Sequence, residues 1–406
     1  MAGRNQSLSK IGLALAGGGP EGAIYEIGAL RALDEALEGI DFTDLPTYVG
    51  VSAGAIVGAC LANGLTPSHL ARAVVTRLSS ENPIQARTFF TPMFKQYARR
   101  GLMAPRLLLE AVWDYVRHRD AILQSFSRLS GAVPVALYDN APIREYLQTV
   151  FRTEGCTDDF RQLRSHLTVV AADLDTAEAR CFGDPGSDHI PISRAVQASS
   201  AMPGVYPPVE IEGHYYVDGV LLKTLHASVA LEQDADLVIC VNPIVPIDNR
   251  ILPIDDARHA GFSMQNRSLV DEGLPMVLAQ ALRTIIHSRM RVGMAAYSPK
   301  YPDRDVVLFE PRREDSRMFV TYVFSFSARK WICEQAYRAT RAELAERYDE
   351  LSSIFGRHGI RLCRDVLEDP TRNIWEGLEM EEARPPVTHT LTRALNRLET
   401  LIDQRV

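Results

Sequence analysis

Gly50-Val51-Ser52-Ala53-Gly54 is a G-x-S-x-G pentapeptide. Small residues flank a serine where the backbone must turn sharply and leave the hydroxyl projecting from a sheet edge, and the dipole of a following helix favours the alkoxide formed on attack. That is the chemistry of a nucleophile in acyl transfer. A plainer reading is a glycine-rich bend in which Ser52 only caps the next helix. A nucleophilic serine needs a base. Asp218 ends the strand-like run Tyr215-Tyr-Val-Asp218, just ahead of Gly219, and is a candidate; an Asp-Gly pair is equally an ordinary turn. His226, His259 and His287 also lie downstream, but none sits in a strand-end loop with a matched acid, so they read as surface or core histidines.

A third segment, Gly17-Gly-Gly-Pro-Glu-Gly22, lies between an apolar run and a helical pattern. Backbone N–H groups at such a helix start converge on one spot and favour negative charge there. Gly17, Gly19 and Gly22 also satisfy the G-x-G-x-x-G spacing of a dinucleotide loop. That reading requires an acidic residue at the end of the next strand to hold a ribose. The next strand runs instead into Gly50-Val-Ser-Ala-Gly54.

The elements that must position these residues follow from periodicity. Ile11-Gly-Leu-Ala-Leu-Ala16 reads as a buried strand, and Ala23 to Leu37 as a helix with Gly39 as its C-cap. Thr47-Tyr-Val-Gly-Val51 is a second strand, followed by a helix from Ala55 to Asn63 closed by Gly64. Strand, helix, strand, helix predicts a parallel sheet covered by helices. Leu167–Ala172 and Asp236–Asn242 are further buried strands, and beyond Asp271 the pattern is helical except for a strand at Asp305–Phe309. An α/β-hydrolase places several strands before its nucleophile and follows it with an acid and a histidine; here Ser52 comes after the second strand, too early for that fold.

Between Pro83 and Leu129 the alternation breaks. Arg87, Lys95, Arg99, Arg100, Arg106, Arg117, Arg119 and Arg128 face only Glu110, Asp114 and Asp120, with Phe89, Phe90, Phe94, Tyr97, Trp113 and Tyr115 interleaved. Two readings fit: an insert lying on an anionic membrane surface, or helices packed by their apolar face with arginines in solvent. The tail after Pro386 reads as a solvated helix face.

Across all 406 residues, 46% are hydrophobic and 23% charged, which excludes a disordered chain, a collagen-like repeat and a long coiled coil. With 44 Lys+Arg against 51 Asp+Glu, the charge of −7 gives no footing for nucleic acid. Cys60, Cys156, Cys181, Cys240, Cys333 and Cys363 are dispersed without a Cys-x-x-Cys pair, and the histidines show no His-Glu-x-x-His spacing. Reduced thiols and no metal site are expected. The first residues lack a signal-peptide core, and no apolar run reaches the ~18 residues of a membrane span. A cytoplasmic protein is expected, peripheral to a membrane if the insert binds one.

Taken in order, Gly17-Gly-Gly-Pro-Glu-Gly22, Gly50-Val-Ser-Ala-Gly54 and Asp218-Gly219-Val220 resemble the patatin-like phospholipase family. Val170-Ala-Ala-Asp-Leu-Asp-Thr176 and Ala198-Ser-Ser-Ala-Met-Pro-Gly-Val-Tyr-Pro-Pro208 are similar to its bacterial members. The resemblance spans residues 10 to 245, with looser similarity around Met318–Arg341. It implies a three-layer α/β/α fold with a mainly parallel central sheet and additional helices. Residues 10–245 would form the catalytic domain, with the basic insert at about 83–130, and 246–406 a mainly helical extension packed on it. It also implies Ser52 as nucleophile on the elbow glycines Gly50 and Gly54, Asp218 as base, and Gly17, Gly18 and Gly19 as oxyanion hole. The activity implied is hydrolysis of fatty-acyl esters through an acyl-enzyme, without metal or organic cofactor. An acyltransferase with the same dyad and a weakly active lipid-binding protein are the alternatives; a nicotinamide or flavin enzyme rests only on the Gly17 loop. Oligomeric state is left open. Glu21 stands where the family carries Arg or Lys, and Val220 replaces a small residue. A carboxylate beside an oxyanion would weaken its stabilisation.

Overall fold

The computed structural model describes residues 9–75, 83–94, 97, 135–246, 269–312, 328–375 and 378. Its main sheet contains β1 (Ile11–Leu15), β2 (Thr47–Val51), β3 (His166–Asp173), β4 (Ala179–Phe182), β5 (Val209–Ile211), β6 (His214–Asp218), β7 (Leu237–Val241) and β8 (Asp305–Phe309). The order is β8-β7-β1-β2-β3-β6-β5, with β4 paired to β3. β8, β7, β1, β2 and β3 run parallel to one another. β4 and β6 run antiparallel to β3, and β5 antiparallel to β6.

The parallel strands are mostly apolar because both faces are covered, with polar residues such as Thr47, His166, Asp173 and Asp305 at their ends. Successive side chains point to opposite faces. Leu13 and Leu15 of β1, with Leu237, Ile239 and Val241 of β7, enter one core. Ala14 and Ala16, with Val238 and Cys240, enter a second.

Nine helices matter to the layers: α1 (Gly19–Ala36), α2 (Ala53–Ala62), α3 (Pro67–Val75), α4 (Ala141–Val150), α5 (Ile192–Ser199), α6 (Ala227–Glu232), α7 (Leu274–Lys300), α8 (Arg329–Glu346) and α9 (Tyr348–Arg357). α1 to α5, α8 and α9 supply the first core, and α6 and α7 the second. The fold is therefore α/β with a mainly parallel sheet and helices on both sides, as the sequence predicts.

Local differences have local causes. α1 starts at Gly19, four residues earlier than periodicity suggests, because Pro20 suits a first helical turn. Gly39, at φ 89°, shapes a turn and is not the helix cap; the helix stops at Ala36, and Leu37–Glu38 pairs with Arg361–Leu362. Of the basic insert, a helical turn at Ala86–Phe89 and a short pairing of Thr91–Pro92 with Tyr138–Asp139 are described. Most of its arginines, and the tail after Pro386, lie outside the described residues. All six cysteines are free. Among the described residues no helix is long and apolar enough to cross a membrane.

Candidate active site

Ser52 stands between β2 and α2 with φ 52° and ψ −118°. A non-glycine residue held there costs about 1–3 kcal/mol and persists only where its surroundings enforce it. Enforcement comes from both sides. The Ser52 N–H donates to Ser199 Oγ at 2.8 Å, and the Ser199 hydroxyl donates to the Val170 carbonyl at 2.6 Å. The Gly54 N–H donates to the Ala16 carbonyl at 3.0 Å. The flanking glycines give room: a Cβ on Gly50 would lie 2.6 Å from Ala55 Cα, and one on Gly54 2.5 Å from the Leu15 carbonyl. The Ser52 side chain makes no capping hydrogen bond to α2, so the capping reading fails.

Asp218 reaches Ser52 along an unexpected route. Residues Val169–Ala172 of β3 have β4 on one edge. β2 and β6 must then share the other. β2 pairs up to Val51↔Val170, and β6 arrives from the opposite direction to end at Asp218↔Ala171. The two strands therefore meet end to end, which places Asp218 beside the residue that follows Val51. Because β6 is antiparallel to β3, its C-terminal end faces that of β2. The Asp218 N–H donates to the Ala201 carbonyl at 3.0 Å, so the end of α5 steadies both residues. Gly219 is required by close approach, because a Cβ there would collide with the Val170 carbonyl oxygen.

The Asp218 side chain is fully buried. Its Oδ1 accepts from the Val220 N–H at 3.0 Å, and Oδ2 has no hydrogen-bond partner of good geometry. Burial pushes its pKa up to about 7, against the opposing influence of the Ser52 hydroxyl and the Val220 amide. Val220, the unusual residue after Asp218-Gly219, supplies that amide. Its side chain also closes on the glycine loop, 3.2 Å from where a Cβ on Gly17 would stand.

The same absent Cβ on Gly17 would be 3.2 Å from Ser52 Cβ, so the loop lies directly against the serine. Gly18 is packed on Pro243, and Gly19 adopts φ 64°. Among the described residues, nothing accepts from the N–H of Gly17, Gly18 or Gly19. Glu21 follows in the first turn of α1 and is 8% exposed. Burial pushes its pKa up to about 7, while its own N–H and the charge of Arg283 pull the other way.

His226 is a core histidine: burial pushes it down to about 4, and it interacts with the backbone of Gly219 and Lys223. His287 is half-buried on α7, and His259 lies outside the described residues. Sequence reasoning missed Ser199 as the brace of the elbow and Arg283 as the charge acting on Glu21. Ser199 sits in the Ala198-Ser-Ser-Ala stretch singled out above; Arg283 has no local signal at all. Asp173, Asp175 and His214 could offer ligand atoms within 4.8 Å of one another. Asp173 is already occupied by the N–H groups of Asp175 and Thr176 and by His214.

The fold is α/β with a mainly parallel sheet, and at its strand ends a strained serine, a buried aspartate and a glycine loop stand together. The chain belongs to the patatin-like phospholipase family, whose model matches residues 13–231 and so takes in all three segments. It is 27% identical over 241 residues to uncharacterized NTE family proteins of Mycobacterium bovis and Mycobacterium tuberculosis, covering 59% of this chain and 50% of theirs. The chain thus spans about half the length of the curated relatives it matches. Among solved structures it is similar to VipD from Legionella pneumophila, at 17% identity and a TM-score of 0.33 over 62% of this chain and 52% of that one. ExoU of the Pseudomonas aeruginosa type III secretion system, solved with SpcU, matches at 20% identity and a TM-score of 0.23, covering 49% and 37%.

Proposed function

We propose that the chain is a serine lipid acyl hydrolase of phospholipase A or lysophospholipase type, cleaving carboxylic esters of fatty acids through Ser52 and Asp218. The observation that carries this reading is the end-to-end meeting of β2 and β6, which sets the strained Ser52 against a buried carboxylate. A general base works best with a pKa near the operating pH, and Asp218 has been pushed to about 7. Asp218 takes the Ser52 proton as the oxygen attacks the ester carbonyl. Amides of Gly17, Gly18 and Gly19 receive the oxyanion, and each such donor contributes about 3 kcal/mol to the transition state. Asp218 passes that proton to the departing alcohol oxygen, then takes a proton from the attacking water and returns it to Ser52 as the fatty acid is released.

Lipid as the substrate class is supported by α7. That helix brings Arg283 toward the glycine loop and carries Leu274, Leu278, Ile285 and Val292 as exposed large apolar residues. The test is fatty-acid release from phospholipids, lysophospholipids and neutral glycerides by the parent chain and by Ser52→Ala. Release by the parent, and none by a Ser52→Ala protein with an unchanged melting temperature, is the expected result. Equal release by both would refute the nucleophile assignment.

A further inference from the structure

Glu21 brings a titratable group into the loop that stands against Ser52. It occupies the third position of α1, and its carboxyl curls back to meet its own N–H at the start of the helix. Oε2 ends 3.6 Å from where a side chain on Gly19 would begin. The carboxyl therefore lies at the amide-bearing start of α1, on the glycine loop whose Gly17 stands against Ser52. An anion and a nascent oxyanion cannot share that end cheaply: two like charges ~4 Å apart repel by about 4 kcal/mol at the effective dielectric near a protein surface.

Resting on the hydrolase reading above, we propose that neutral Glu21 donates a hydrogen bond to the oxyanion, and that its carboxylate closes the same site. The proton stays on Glu21 throughout; an O–H···O⁻ contact forms and no bond breaks. A buried carboxylic acid kept neutral can serve in this way. Its 8% exposure is what keeps it neutral, raising its pKa to about 7.

The groups facing Glu21 can be named. Arg283 of α7 is the charge that lowers its pKa. The Tyr206 phenol, after α5, is raised by burial and by the Glu21 and Asp218 carboxyls. Of the helices packed on α1, α2 carries no charged residue, α3 carries His69 and Arg72, and the short helix Arg364–Glu368 carries Arg364, Asp365 and Glu368. α8 meets α1 around Gly28, seven residues along from Glu21, and on α1 itself the buried Glu26 carboxyl interacts with the Ala16 backbone. Asp218 must be ionised and Glu21 neutral, and both change state at about 7. The activity profile is therefore a bell centred near that pH, with Asp218 governing the rise and Glu21 the fall.

The experiment is kcat/KM for p-nitrophenyl butyrate, a soluble ester that needs no lipid surface, across the pH range on either side of neutrality. The parent should lose about tenfold per pH unit on the alkaline side. Glu21→Gln, which keeps a neutral donor, should lose that descending limb. Glu21→Ala should lose the limb too, but plateau on the order of tenfold or more below Glu21→Gln, as expected for a missing oxyanion donor. Arg283→Gln should move the limb to higher pH, because removing the cation raises the Glu21 pKa; a change that merely loosened packing would leave the limb in place. A parent without a descending limb, a Glu21→Gln protein that keeps it, or an unshifted limb in Arg283→Gln would overturn the proposal. Equal plateaus in Glu21→Gln and Glu21→Ala would remove the donor role. Ser52→Ala run alongside separates the two readings, since activity surviving there overturns the hydrolase itself.

Discussion

At Asp218 the demands of catalysis and of stability point in opposite directions. The base we propose must carry charge at the working pH, yet this carboxyl is fully buried and has one well-formed hydrogen bond, from Val220. Its pKa rises from 3.8 in the free side chain to about 7 in the fold. The folded state therefore holds the proton more tightly than the unfolded chain, and stability from this group is complete below about 4 and is lost as pH rises through about 7. Asp218→Asn should reduce kcat/KM by about 10²–10⁴-fold, the usual worth of a positioned base. It should also gain thermal stability relative to the parent as pH rises, with the gap in melting temperature opening between about 4 and about 7 and holding above that. Thermal melts of both proteins across that range measure this directly. A gap that does not change with pH would mean that Asp218 is not ionising in a buried site.

Elements decide whether two good residues ever meet. Ser52, Asp218 and the glycines at 17–19 are legible as candidates because each lies in a short motif bounded by its own strand or helix signal. β1, β2, β7 and β8 were legible as uninterrupted apolar runs between turns. What was not legible is long-range: nothing local says that β6 runs antiparallel and abuts β2 on one edge of β3. β4 (Ala-Arg-Cys-Phe) and β5 (Val-Glu-Ile) are short strands with polar members, too brief for periodicity to declare. Ser199 belongs to this hidden class, since its hydroxyl joins the Ser52 amide to Val170 across chain distances of 147 and 29 residues. Removing it with Ser199→Ala leaves a buried N–H unpaired, at a cost of about 1–3 kcal/mol. The elbow then loosens without losing any reacting atom. Since a small misplacement of a catalytic group can cost on the order of 10²-fold, kcat should drop by about 10- to 100-fold with KM nearly constant. Steady-state kinetics on the soluble ester decide it, and an unchanged kcat would show that the strained turn holds without its brace.

At the scale of the whole molecule, α1 ties the site to the residues beyond 245. Its first turn carries Glu21 beside the glycine loop, and its middle is the seat of α8. Gly28 lets the Cys333 carbonyl come so close that any Cβ would strike it, and would lie 2.9 Å from Ala336 Cβ as well. Near its end, Glu35 pairs with Arg31 at 2.5 Å and accepts from the Tyr337 hydroxyl at 2.5 Å. On the opposite flank, β8 extends the sheet in register with β7. A segment that supplies both a sheet strand and a helix seated on α1 is bound to the rest of the fold by the same cores that hold the sheet. Gly28→Val tests how far that coupling reaches. Forcing a side chain into a packed contact costs about 1–3 kcal/mol, so the melting temperature should fall by several degrees. Calorimetry should still show a single transition, because the contact broken belongs to one cooperative body. Ester hydrolysis should weaken as well, since the strained helix is the one whose start carries the glycine loop proposed to receive the oxyanion. Two separated transitions, with activity lost only in the second, would instead make residues beyond 245 an independent unit leaning on a self-sufficient catalytic domain.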